Sequence, residues 1–146
     1  MEIRRLSTED IEDVKSAILC IFSAEPWNDV WSESQLNAYV IELIDNKNSL
    51  PFGLYDNERI IGISLGRLKH WCEGTEYWID EFGIMPEKQS KGLGREFLSK
   101  IEFLLKEDGI DTIVLLTERT VPAYRFYKRN EFAESTEQAF MVKTDL

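Results

Sequence analysis

Gln89-Ser90-Lys91-Gly92-Leu93-Gly94-Arg95 lies between an apolar run, Ile79 to Ile84, and an amphipathic run that begins at Leu93. Glycines at the start of a helix let a ligand approach the backbone with no Cβ in the way. The unpaired N–H groups of a first helical turn, aided by the helix dipole, then form a socket for a pyrophosphate. Gln89 and Arg95 flank that socket with a neutral donor and a cation. A glycine pair alone is a weak signal, because ordinary turns use glycine too. Its weight comes from the strand before it and the helix after it.

Two familiar phosphate loops do not fit. A P-loop needs four residues between its first Gly and a Gly-Lys-Ser/Thr, whereas here Lys91 precedes Gly92 and Leu93 follows. A dinucleotide fingerprint needs a third Gly where this chain has Phe97. What remains is strand, Pro86, Gln-x-x-Gly-x-Gly, helix. This resembles the acetyl-CoA-binding signature of the Gcn5-related N-acetyltransferases, the GNAT superfamily. The resemblance implies that the amides of Gln89, Ser90, Lys91, Gly92, Leu93, Gly94 and Arg95 hold the pyrophosphate of coenzyme A. It also implies that main-chain groups around Phe82, Gly83 and Ile84 bond the pantetheine arm as an added strand would.

A second stretch agrees with the first. Ala123-Tyr124-Arg125-Phe126-Tyr127-Lys128-Arg129-Asn130-Glu131-Phe132 is similar to the family's Ala-x-x-x-Tyr-x-x-x-Gly-Phe motif, roughly 30 residues downstream with the apolar run Thr112 to Leu116 between. By resemblance Tyr127 stands beside the thioester sulfur as general acid, and Thr117 and Tyr124 join it in contacting the coenzyme. A phenol suits that task, since its pKa of about 10 keeps it protonated at neutral pH. Read without the upstream loop, the same residues make an amphipathic helix with its aromatics in the core. The chain departs from the motif at Glu131, where the family has Gly. Asn130 tolerates left-handed geometry, so the turn is expected to move to it.

Transfer to an amine also requires a proton acceptor. The strand before the glycines offers Asp80 and Glu81. Neighbours on a strand point to opposite faces, so both address one cleft only if a bulge intervenes, and Gly83 is the candidate bulge residue. Asp80 is favoured as base or ammonium anchor, with Glu81 second, because Asp80 is similar in position to an aspartate of the aminoglycoside 6′-N-acetyltransferase-like branch. Solvated or ion-paired carboxylates are the plainer reading of both.

Pro26-Trp27-Asn28-Asp29-Val30-Trp31 has two tryptophans in a turn-like segment. Packing of a helix pair accounts for them. By resemblance, this loop walls the acceptor site, where Trp27, Asp29 and Trp31 would enclose a cationic amine. His70 reads as a surface residue. One His with Cys20 and Cys72 gives too few soft ligands for a metal site.

The remaining sequence sets bounds. At 146 residues the chain is expected to be one domain, residues 1–146. Its 43% hydrophobic and 12% aromatic content is globular. No apolar stretch approaches a membrane span or a signal peptide, and with free thiols this gives a cytoplasmic expectation. The 27 acidic against 17 basic residues argue against nucleic acid as a partner. The same balance suits a cationic small substrate, or serves solubility alone.

Ile3 to Leu6 reads as a first strand. Ser7 or Thr8 caps a helix with Asp10 in its first turn, which carries Ile11, Val14, Ile18 and Phe22 on one face and ends at Pro26. A second helix, started by Ser32 or Ser34, carries Leu36, Tyr39, Val40, Leu43 and Ile44. Pro51 to Tyr55 and Arg59 to Leu68 form a hairpin turning at Asp56-Asn57, and Thr75 to Ile84 is a third long strand. Helices follow at Leu93 and Pro122, and Ala139 to Val142 is the last edge strand. The expectation is the GNAT fold, an α/β (mixed α+β) domain with a mostly antiparallel sheet of six to seven strands and about four helices. The expected activity is direct, sequential transfer of acetyl from acetyl-CoA to a small cationic amine, an aminosugar or polyamine, with coenzyme A as product and no metal. A protein N-terminal or lysine acetyltransferase is the first alternative, and a non-catalytic acyl-CoA-binding module the second. The exposed last strand could pair in a homodimer.

Overall fold

The computed structural model describes residues 1–146. The chain separates into two compact units, Met1–Leu116 and Thr117–Leu146.

The first unit is built on five strands: β1 (Glu2–Arg5), β2 (Phe52–Asp56), β3 (Arg59–Trp71), β4 (Gly74–Ile84) and β5 (Thr112–Leu115). They lie side by side in chain order. The first four are antiparallel and β5 joins β4 in parallel. Helices α1 (Ile11–Phe22) and α2 (Glu33–Ile44) precede β2, and α3 (Leu93–Glu107) makes the crossover from β4 to β5. A parallel neighbour requires such a crossover.

Local chemistry starts the helices where the sequence suggested. Ser7 and Asp10 form a capping box ahead of α1, and the Ser32 hydroxyl accepts from the Gln35 N–H at 3.2 Å to open α2. The apolar stripe of α2 behaves as expected, with Leu36, Val40, Leu43 and Ile44 buried. They share one core with Val14, Ile18, Ile21 and Phe22 of α1 and with Ile63 and Leu65 of β3. The opposite face of the sheet packs against α3, where Phe97, Ile101 and Leu105 meet Leu54, Ile61, Tyr77, Ile79 and Ile84. Each fully buried side chain of this size contributes roughly 1.5–3 kcal/mol. Two apolar layers thus clamp one sheet, which fixes what β4 presents to each side.

Three expectations need correction here. The β2–β3 turn falls one residue later, with Asp56 paired to Arg59 and Asn57 at φ 55°, because Asp56 can still join the ladder. The sheet has five strands. Residues 139–142 form no strand; Phe140, Met141 and Val142 are exposed. An apolar run becomes a strand only when its own N–H and C=O groups pair with another strand, and composition does not report that pairing.

The second unit holds α4 (Pro122–Arg129), with Pro at its first turn. Tyr127 is buried there and meets the rings of Phe126 and Phe132 edge-on at 5.4 and 5.3 Å. The helix ends at Glu131, which takes the left-handed conformation itself at φ 67°. Phe132 N–H returns to the Tyr127 carbonyl at 3.0 Å and Glu131 N–H to that of Lys128 at 3.3 Å, the paired bonds of a Schellman end. The expected shift of the turn to Asn130 does not occur, since Asn130 has φ −103°. The bonds and the Tyr127–Phe132 ring contact hold the turn in place despite the unfavourable residue.

Candidate active site

The glycine segment folds as an open loop ahead of α3. Ser90 and Gly92 both adopt left-handed backbone, at φ 62° and 76°. Gly92 is the residue preceding the first turn of α3, and no side chain caps that turn. The early amides of any helix lack intrahelical acceptors, so those of Leu93, Gly94 and Arg95 face outward as donors. A Cβ built on Gly92 would meet nothing within 4 Å. The loop therefore faces open space, and Lys91 and Arg95 are exposed on it. This arrangement of uncapped amides, left-handed turns and two cations fits a pyrophosphate. The Gln89 side chain is engaged within the chain. Its Nε2 donates to the Ile84 carbonyl at 2.9 Å, tying the loop back to the end of β4.

The edge of β4 is open beside this loop. Parallel pairing with β5 runs from Glu76–Thr112 to Ile79–Leu115 and stops. From Asp80 to Ile84, β4 has β3 on one side and no strand of this unit on the other. Backbone groups on such an edge are available to an extended ligand. The Ile84 carbonyl accepts from Gln89.

A bulge decides which side chains of β4 share a face. Leu65 pairs with Glu81, but the next residue of β3, Gly66, pairs with Ile79, leaving Asp80 as the extra residue. Tyr77 and Ile79 lie on the α3 side before the bulge, and Phe82 and Ile84 lie there after it. Asp80 and Glu81 are consequently both on the α1–α2 side. The bulge sits at Asp80 rather than at Gly83. Gly83 has another use: a Cβ there would lie 2.7 Å from the Ile21 side chain, so its absence lets α1 close onto β4.

The two carboxylates have different surroundings. Asp80 Oδ2 accepts from Arg67 Nε at 3.1 Å, and the Arg67 guanidinium lies over the Trp78 ring at 5.5 Å. Asp80 also borders a cleft of about 260 Å³ together with Tyr39, Glu42, Asn46, Asn48 and Arg67. Glu81 is half-buried and accepts from the Tyr39 hydroxyl at 2.7 Å. Burial raises its pKa from 4.5 to about 7; the Tyr39 hydrogen bond pulls the other way, and Asp29 and Asp80 add to the rise. Glu81 is thus the carboxylate able to exchange a proton near neutral pH.

The tryptophans of the α1–α2 connection pack against the core. Trp27 meets Phe22 edge-on at 5.9 Å, and Trp31 stacks on Tyr39 at 5.2 Å and 15°. Asp29 and Trp31 border an open depression of about 540 Å³ with Val30, Ser32 and Gln35. His70 is exposed, its Nδ1 3.1 Å from the Thr75 hydroxyl. In the second unit, Thr117 and Tyr124 are half-buried. The Tyr124 hydroxyl donates to Glu134 at 3.0 Å, and Glu134 also pairs with Arg119.

Sequence reasoning missed Tyr39 and Arg67. Tyr39 was read only as part of an apolar stripe, although a buried phenol needs a partner and so signals a polar neighbour. Arg67 is the first cation after the apolar run of β3, which was the available signal.

The chain belongs to the acetyltransferase (GNAT) family, whose model matches residues 11–132. It has the fold and the acetyl-CoA-dependent N-acetyltransferase activity that define this class. No curated protein matches it by sequence. Among solved structures it is similar to an aminoglycoside acetyltransferase from an uncultured soil metagenomic sample, with a TM-score of 0.76 at 16% identity over 99% of this chain and 98% of that one. It is similar to the ribosomal-protein-alanine N-acetyltransferase of Brucella melitensis, at 0.78 and 12% over 99% and 100%. A third is AAC(6')-Iy bound to the bisubstrate analog CoA-S-monomethyl-acetylneamine, at 0.74 and 12% over 99% and 98%. These likenesses concern the fold. No helix is long and apolar enough to cross a membrane.

Proposed function

We propose that this protein transfers acetyl from acetyl-CoA to a primary amine of a small cationic acceptor, an aminosugar or polyamine. The observation that carries the acceptor half is the half-buried Glu81, whose proton affinity suits a base at neutral pH, beside a cleft bordered by Glu42 and Asp80. Asp29 adds to the negative field around it.

Acetyl-CoA supplies an activated thioester. The loop amides from Gly92 to Arg95, with Lys91 and Arg95, hold the pyrophosphate, and β4 around Phe82 and Gly83, beyond its pairing with β5, aligns the pantetheine arm. Strand amides near Ile84 meet the developing oxyanion. Glu81 takes the amine proton, directly or through water. Asp80, ion-paired with Arg67, orients the acceptor rather than moving its proton. By family resemblance Tyr127 donates a proton to the departing sulfur, and Thr117 and Tyr124 contact the coenzyme. The transfer is sequential and leaves no acyl group on the protein. Residues 1–146 act as one catalytic domain in a cytoplasmic enzyme.

A protein acceptor is the second reading, favoured by the likeness to a ribosomal-protein acetyltransferase. The small cleft at Asp80 and the acidic balance favour a small amine. Calorimetric titration with acetyl-CoA, against coenzyme A and ATP, tests the coenzyme half. Micromolar binding of acetyl-CoA with none of ATP is expected. If neither CoA species binds, the transferase reading falls. An amine screen by thiol release then compares polyamines and aminosugars with peptides.

A further inference from the structure

Glu81 is held by a second side chain, and that one by a third. The Tyr39 hydroxyl donates to Glu81 Oε1 at 2.7 Å across 42 residues of sequence. The Tyr39 ring in turn lies flat against Trp31, with centroids 5.2 Å apart and planes 15° from parallel. Trp31 packs against the α1–α2 core, so the phenol has little rotational freedom. The bulge completes the arrangement. Without Asp80 as the extra residue, Glu81 would project toward α3, on the far side of the sheet from Tyr39.

We propose that Tyr39 is a positioning residue for the acetyl transfer, fixed by Trp31 and fixing in turn the aim of the Glu81 carboxylate toward the acceptor side. The proposal rests on reading Glu81 as the base. A half-buried carboxylate with one free rotamer set would otherwise swing between the cleft and the bulk solvent, and the fraction of time in productive geometry enters the rate directly. A hydrogen bond of 2.7 Å to an ionised oxygen is of the charge-assisted kind, about twice as strong as a neutral one. A plain packing role for Tyr39 would not require its oxygen to reach β4.

The hydroxyl also limits how far burial raises the proton affinity of Glu81. The groups that act on this carboxyl are Tyr39, which lowers its pKa, and Asp29 and Asp80, which raise it. Arg67 engages Asp80, and Glu42 lies on α2 one turn beyond Tyr39, bordering the same cleft. The two charges that raise its proton affinity, Asp29 and Asp80, are negative, and the Tyr39 donor favours its ionised form.

The test follows the Glu81 carboxyl by carbon-13 NMR through a pH titration, in the full chain and without acceptor. Tyr39→Phe keeps the ring against Trp31 and removes the donor, so Glu81 should titrate about one unit higher, a tenfold change in proton affinity. Acetyl-CoA binding by calorimetry should stay unchanged. A 3-fluorotyrosine at position 39 is a stronger donor of nearly the same shape and should move the titration down. Identical Glu81 midpoints in all three proteins would overturn the positioning role, even if one variant were less stable. The base reading fails on a different measurement, full turnover in Glu81→Gln, so the two failures are distinguishable.

Discussion

Asp80 and Glu81, adjacent in sequence, project from the same face of β4. Regular strand geometry forbids this, and the single-residue bulge opposite Gly66 permits it. Gly66 is glycine for a steric reason: a Cβ there would lie 2.4 Å from the Tyr77 ring. The consequence is two neighbouring carboxylates in different surroundings. One is tied to a guanidinium and the other is half-buried with a proton affinity near neutrality.

Glu81→Gln should lower turnover by about a hundredfold or more, the usual worth of a positioned base. In the parent, turnover should rise with pH through about 7, because the base must be ionised, and the variant should lose that limb. Stability moves the other way. With a folded pKa of about 7 against 4.5 unfolded, the folded chain holds a proton that the unfolded chain has released. Stability therefore falls as pH rises from 4.5 through 7 and levels off above. The variant escapes this and should exceed the parent by up to about 3 kcal/mol at alkaline pH, and not at all in acid, by chemical denaturation.

Asp80→Asn should raise the KM for the amine several-fold and leave the pH–rate profile in place. The Asp80–Arg67 pair is partly exposed, so its loss should cost under about 1 kcal/mol of stability. A displaced acid limb would instead return the base role to Asp80.

Gly92 separates two effects. Alanine fits the open space around it but strains a backbone at φ 76°, so Gly92→Ala should cost about 1 kcal/mol in a thermal melt. Gly92→Glu adds a negative charge to the loop and should abolish acetyl-CoA binding by calorimetry. Unchanged affinity there would remove the pyrophosphate assignment.

Tyr127→Phe preserves the ring contacts with Phe126 and Phe132. We expect turnover to fall by about a hundredfold with acetyl-CoA affinity within a factor of two. Equal activity in variant and parent would end the general-acid role.

Glu131→Gly should stabilise the chain. A non-glycine residue at φ 67° carries roughly 1–2 kcal/mol of strain, offset in part by the greater entropy that glycine gives the unfolded chain. A net gain of about 0.5–1 kcal/mol in denaturant titration is the expected outcome.

Much of this architecture is legible in the chain itself. Apolar spacing in Val14, Ile18 and Phe22, or in Phe97, Ile101 and Leu105, determines a helix and its buried face, because those contacts repeat locally every turn. The glycine loop and the Tyr127 segment carry the family on their own, since backbone conformation at a helix start depends on neighbours in sequence. What only the tertiary structure decided depends on residues distant in the chain. Residues 139–142, apolar in sequence, pair with no other strand, and that pairing is a long-range matter. The turn held at Glu131 depended on Phe132 closing on Tyr127. The shared face of Asp80 and Glu81 depended on one unpaired residue in the β3–β4 register, and the hydrogen bond to Glu81 on a phenol arriving from α2. Sequence assigns residue types and local periodicity; proton affinity is set by burial and by the charges and donors that packing brings alongside.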